Sequence, residues 1–221
     1  MNLFTKHNSL GTGIAALAFA SAVGMAHAGP IPYPNKGTPN PAVYTFTAAA
    51  TGDVIGYFGG SGASFDEKVG LLDNGVLTSA GYGLDDHTTA VGASFDFGMV
   101  TAGDTLVFVD DVISEGGFVY SDPSLNVPYD APGVTNHNHV YSTSALAGQV
   151  FAGSPAGTYV GFEDLPFPGS DYNYFDDTFV FTDVSTTTTG VPDGASTMAL
   201  LGVGVAALFL LRRRALGVGA S

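Results

Sequence analysis

The chain has no cysteine and no tryptophan, and only six Lys and Arg against 20 Asp and Glu in 221 residues. Without cysteine there are no disulfides, no thiolate zinc sites and no cysteine nucleophile. So few basic residues, at a formal net charge of −14, exclude phosphate-led binding of nucleic acid, which depends on Lys and Arg. The chain is poor in long helix-compatible stretches, because 31 Gly and 12 Pro make up about a fifth of it, and this excludes a coiled coil or a helical bundle. Catalytic signatures are missing too: there is no Gly-x-Ser-x-Gly elbow, no Ser-x-x-Lys, no Gly-rich phosphate loop and no His-Glu-x-x-His. What is present is 45% hydrophobic content with 16 Phe and 10 Tyr, enough to build a core and to exclude disorder over most of the length.

The two ends differ from the middle. Residues 1–28 begin with a positive region carrying Lys6, continue through an apolar run from Ile14 to Val23, and end in Ala26-His27-Ala28. This is the pattern of a secretory signal peptide, with Ala26 and Ala28 as the small residues of the cleavage site before Gly29. The apolar run is short of the roughly 20 residues that a spanning helix needs. Near the other end, Ala195 to Leu211 is an uncharged stretch of 17 residues followed by Arg212, Arg213 and Arg214. At about 1.5 Å per residue it is just long enough to cross a bilayer core, so a transmembrane helix is expected there. The positive-inside rule keeps the arginines and the tail at 215–221 cytoplasmic and leaves the body on the other side.

Val191-Pro192-Asp193-Gly194, the apolar stretch and the Arg212–Arg214 cluster together resemble the PEP-CTERM sorting signal in its VPDSG-type variant, over residues 191–214. Asp193-Gly194-Ala195 stands where that variant usually has Asp-Ser-Gly. The resemblance implies a Gram-negative host and transient anchoring in the inner membrane. It further implies processing by an exosortase and release to the cell surface or an exopolysaccharide matrix. Removal of both ends makes the remainder more acidic: residues 29–190 keep Lys36 and Lys68 against 19 acidic residues, a net of −17.

Residues 29–42 hold five prolines and read as an extended lead-in outside any core. From Val43 on, short runs rich in Val, Phe, Tyr and Thr alternate apolar and polar residues between Gly, Asp, Asn and Pro. Strands are predicted at 43–48, 53–58, 68–72, 76–80, 89–97, 104–113, 117–121, 138–143, 148–152, 157–163 and 177–184. Asn74-Gly75 predicts a tight hairpin turn, and the two-sided apolar run Thr105–Val109 predicts a central strand. No helical stripe of adequate length appears. The expected fold is all-β: a single β-sandwich or jelly-roll domain at 43–184, with a Thr-rich linker at 185–190 joining it to the sorting signal.

The most informative internal segment runs from Tyr159 to Phe181 and carries Glu163, Asp164, Asp171, Asn173, Asp176 and Asp177. A hairpin turning at Pro166, Pro168 and Gly169 would set Glu163 and Asp164 beside Asp176 and Asp177, with Asp171 and Asn173 projecting from the loop. Carboxylates packed together raise one another's pKa, and a hard cation removes the conflict. Ca²⁺ takes six to eight oxygens at about 2.3–2.6 Å in irregular geometry, so these six residues form the candidate calcium set. The segment is no EF-hand, since the Gly and terminal Glu of that loop are missing. It resembles a bacterial surface β-domain family of unknown function. Phe162-Glu163-Asp164-Leu165, Asp171, Tyr174 and Asp176 match its signature, and Tyr120–Asn126, His139-Val140-Tyr141 and Ala102–Leu106 also fit. Phe175 replaces an Asn usual in that family, deleting one oxygen ligand. The resemblance covers about residues 95–182 and implies an extracellular module found in adhesins, with no established enzymatic activity.

Other groupings are weaker. His137 and His139 share a face on a strand, as a metal pair would, but only His87 remains as a third imidazole in the body, so a surface loop is the better reading. Asp85-Asp86-His87 and Asp110-Asp111 read as turn and strand-end charges. Together these features predict a non-enzymatic exported surface or matrix protein with a calcium-bound acidic sandwich, associated with acidic exopolysaccharide through divalent cations. A Ca²⁺-dependent carbohydrate-binding or adhesion module is the alternative. A glycoside hydrolase using two of the acids is the third reading.

Overall fold

The computed structural model describes residues 29–189. The expected signal peptide, the sorting signal with its expected transmembrane helix, and the expected cytoplasmic tail lie outside the described residues. Among those described, no helix is long and apolar enough to cross a membrane.

Eleven strands form among the described residues: β1 (Val43–Ala48), β2 (Gly52–Ser61), β3 (Glu67–Asp73), β4 (Val76–Gly83), β5 (Ser94–Val100), β6 (Thr105–Val112), β7 (Gly117–Tyr120), β8 (Val140–Ala145), β9 (Gly157–Phe162), β10 (Asp177–Phe181) and β11 (Val184–Thr189). They pack as a β-sandwich of two antiparallel sheets. One runs β11-β1-β6-β3-β4, with β7 also paired to β6; the other runs β5-β2-β10-β9-β8. Alternate side chains of β1, β3 and β6 meet those of β2, β9 and β10 between the sheets. Phe46, Val69, Leu71, Leu106, Phe108, Phe162, Phe179 and Phe181 are all buried there. Phe108 stacks on Phe181 at 4.0 Å across the interface.

The expected hairpin is present: Asn74 (φ 49°) and Gly75 (φ 82°) take the left-handed angles of a primed turn between β3 and β4. Four expectations are corrected. The segment 185–190 was read as a linker, yet Val184–Thr189 is a full strand paired with β1 from Val43↔Thr189 to Ala48↔Val184. Its Ser/Thr run suits an exposed edge strand, where β-branched residues lie well on the pleat and only Val184 needs burial. The predicted strand 177–184 therefore divides. Asp183, at φ 60°, turns the chain from one sheet into the other. The lead-in at 29–42 is also not outside the core: Tyr33 is buried against Tyr141 and Tyr174. The buried Asn40 bonds the carbonyl of Val140 and the hydroxyls of Tyr44 and Tyr174. Finally, 148–152 forms a turn, closed by the Gly148 amide donating to the Ser154 carbonyl.

Tyr174 carries a testable part of this lead-in contact. Its hydroxyl accepts from the Asn40 amide at 2.7 Å and donates to the Asn138 carbonyl at 3.2 Å. Tyr174→Phe strands a buried N–H, so urea denaturation should show a loss of about 1–3 kcal/mol. An unchanged midpoint would mean that the lead-in is not held there.

Candidate metal centre

The strand-end geometry of β9 and β10 builds the first group of acids. Pairing continues beyond the strands, because the Asp176 amide donates to the Phe162 carbonyl and the Glu163 amide to the His139 carbonyl. The Asp164 amide reaches Asp176 Oδ2 at 3.2 Å, and the Tyr129 hydroxyl holds the Asp164 carbonyl. Glu163, Asp164 and Asp176 are consequently all buried, and one ligand oxygen from each lies within 4.8 Å of the others. Oxygens around one Ca²⁺ at about 2.5 Å stand at most about 5 Å apart, so this spacing fits a single ion.

Asp171, expected in the same set, is not among the three acids whose oxygens lie within 4.8 Å of one another, and the oxygen of Asn173 is engaged by the loop. They cap the loop: Asp171 accepts from the Asn173 amide and side chain at 3.0 and 2.8 Å, and Asn173 Oδ1 accepts from the Phe175 amide at 2.8 Å. Such side chain-to-backbone turns are the usual work of Asp and Asn in loops. They support the left-handed angles of Tyr172 and Tyr174, and the Asn173 amide also reaches Glu163 Oε2 at 3.1 Å.

Asp177 belongs to a second group that the sequence reading missed. With Glu67 and Asp110 it forms another triad whose ligand oxygens lie within 4.8 Å of one another, and all three residues are fully buried. They come from β3, β6 and β10, so both sheets contribute. Asp110 lies opposite Val69 in the register and diagonal to Glu67. A period-two signal was available for each. Glu67 is in phase with Val69 and Leu71, Asp110 with Leu106 and Phe108, and Asp177 with Phe179 and Phe181, all of which face the core. Asp110 is thus an inward core position and not a strand-end charge.

The electrostatics of the two groups are severe. Among the described residues, no donor reaches either carboxyl oxygen of Glu67, Asp110 or Asp177, nor Glu163 Oε1. The polar neighbour of Glu67 is the Asp164 carboxyl, an acceptor facing an acceptor unless one is protonated. Burial, then the charges of Asp110 and Asp164, pushes Glu67 up to about 11. Burial followed by Glu163 and Asp164 pushes Asp176 up to about 9. Asp110, Asp164, Asp177 and Glu163 are all raised, with burial the largest cause. The two lysines of the described residues are engaged elsewhere, Lys36 over the Phe175 ring at 5.9 Å and Lys68 with Asp85 at 3.4 Å.

The histidines serve a different partner. His137 Nδ1 and His139 Nε2 converge on the two oxygens of Asp130 at 2.6 and 3.0 Å, and His139 Nδ1 meets the Glu163 carbonyl at 2.8 Å. Both nitrogens of His139 face oxygen acceptors, so neither is open to a metal. Its ring is buried and stacked on Phe167 at 3.9 Å, contrary to the expected surface loop. Burial works to raise Asp130, but bonds from His139, the Phe167 amide and His137 outweigh it and hold the carboxyl below its ordinary value. Asp86, read as a turn charge, instead accepts from the Glu67 amide at 2.9 Å and fixes the start of β3.

Residues 190–215 match the family model of the VPDSG-CTERM motif. The chain carries a PEP-CTERM-type sorting signal. Such a signal marks an exported protein with a membrane-anchored intermediate and a cell-surface destination, and signals of this type are generally processed by an exosortase. No curated protein and no solved structure matches the chain.

Proposed function

We propose that this PEP-CTERM-type protein is a non-enzymatic surface or matrix module whose β-sandwich takes up Ca²⁺ at Glu163, Asp164 and Asp176, and that its exposed acids meet acidic exopolysaccharide through further divalent cations. The observation that carries the calcium reading is a hairpin mouth lined by three buried carboxylates with matching oxygen spacing and, among the described residues, no lysine or arginine against them. Burial also fixes the kind of role. These oxygens are closed to a glycan, so the ion locks the β9–β10 hairpin and does not itself bridge to sugar. The same burial disfavours hydrolysis, which needs an acid pair on an accessible cleft. A groove of about 460 Å³ is lined mainly by hydroxyl residues, among them Ser142, Ser144 and Thr158, without a carboxylate.

Calcium titration of the full chain, purified in detergent, tests the site. Calorimetry at neutral pH should give saturable heat that Glu163→Gln diminishes. No heat at millimolar Ca²⁺ overturns the reading. The matrix role is tested separately, by chelator-sensitive retention on the host's own polysaccharide.

A further inference from the structure

The Glu67–Asp110–Asp177 triad lies deeper than the hairpin mouth and draws on both sheets. We propose that it is a second divalent-cation site, most suited to Ca²⁺, which clamps the two sheets together from inside the core. The site rests on its own geometry and on the hairpin-mouth reading only for its neighbour.

Three observations carry it. Each residue occupies a position that its strand reserves for the core, in line with Val69, Phe108 and Phe179, where an apolar residue would be expected. All six carboxyl oxygens are sealed from solvent and receive no hydrogen bond. The three side chains nevertheless bring one oxygen each to within 4.8 Å of one another, the span that oxygens take around a single Ca²⁺. An isolated buried carboxylate is strongly unfavourable, and three together without a cation are more so. A shell of six oxygens from three residues meets the lower coordination number of Ca²⁺ if each binds through both oxygens. Zn²⁺ is disfavoured because no Cys or His joins the set.

The contact between Glu67 and Asp164 joins this triad to the hairpin mouth, as do the consecutive residues Asp176 and Asp177. The two cages would sit side by side in one interior, with ligands drawn from β3, β6 and β10 and from the chain just beyond β9.

The experiment is metal stoichiometry on the full chain in detergent, by equilibrium dialysis against CaCl₂ and elemental analysis. The wild type should hold two Ca²⁺ per chain, Asp110→Asn one and Glu163→Gln one, with near-ultraviolet circular dichroism showing that each variant folds. Asn has nearly the shape of a protonated Asp, so an interior that holds protons and no ion would leave Asp110→Asn with the wild-type count, and that result overturns the inference. A wild type with one ion that Glu163→Gln removes and Asp110→Asn keeps also overturns it, while the hairpin reading survives. One ion lost in Asp110→Asn and kept in Glu163→Gln supports the inner site and overturns the hairpin one. Glu67→Gln gives the same readout should Asp110→Asn fail to fold.

Discussion

In chelator, the folded domain should melt at steadily lower temperature as the pH rises from 5 to 9, and millimolar Ca²⁺ should remove that decline. The sign follows from Glu67 and Asp176. Their folded-state values, about 11 and about 9, lie above the ordinary 4.5 and 3.8. The folded chain therefore holds protons that the unfolded chain releases. The stability linked to them is complete below about pH 4 and is lost as pH climbs toward the raised values. Asp130 works in the opposite sense, since its lowered value gives stability that is present at neutral pH and lost in acid. The metal-free protein should thus be most stable in mildly acidic solution. Ca²⁺ competes with the same protons, so its effect grows with pH. At a hundredfold excess over its dissociation constant one ion contributes about 2.7 kcal/mol, or roughly 5–10 °C in a domain of this size. Thermal melts in EDTA and in CaCl₂ across this range make the check. An EDTA curve that is flat or rises from pH 5 to 9 would show that the acids carry no such conflict.

Phe181→Ala should cost about 3–5 kcal/mol, and the loss should be the same in EDTA and in Ca²⁺. Phe181 is fully buried, stacked on Phe108 and within 5.8 Å of both Phe97 and Phe179 by ring centroid. Its ring lies over the backbone of Gly56, where an added Cβ would meet it at 2.8 Å. Truncation leaves a void between sheets that meet through these rings. The melting temperature should fall by about 6–20 °C, with urea midpoints reading the free energy. A loss under about 1 kcal/mol would mean that the phenylalanine cluster is not the main core. Together with the chelation series, this variant separates what apolar packing contributes from what the acids and their cation contribute.

The legible part of the candidate site was the part written locally. Glu163, Asp164 and Asp176 sit on the two arms of one short hairpin, so proximity in sequence predicts proximity in space. Asp171 and Asn173 share that segment, yet the loop backbone takes their oxygens for its own amides, a competition that residue spacing does not reveal. Glu67 and Asp110 were passed over for the opposite reason. Each looks like an isolated charge near a turn, and only the phase of its strand shows that it faces inward. Even that phase does not say which inward residues of different strands will meet.

The sequence by itself determined the all-β class, the turn at Asn74-Gly75, the sorting signal at 190–215 and the absence of disulfides. These rest on composition, period and local motif, which need no partner. Tertiary structure alone decided that the polar run Val184–Thr189 becomes an edge strand, that the proline-rich lead-in seats Tyr33 and Asn40, and that acids from three distant strands share one interior. Each of these depends on pairing between segments far apart in the chain. The identity of the neighbour, and not the residue's own preference, fixed whether a threonine was a linker or a carboxylate a surface charge.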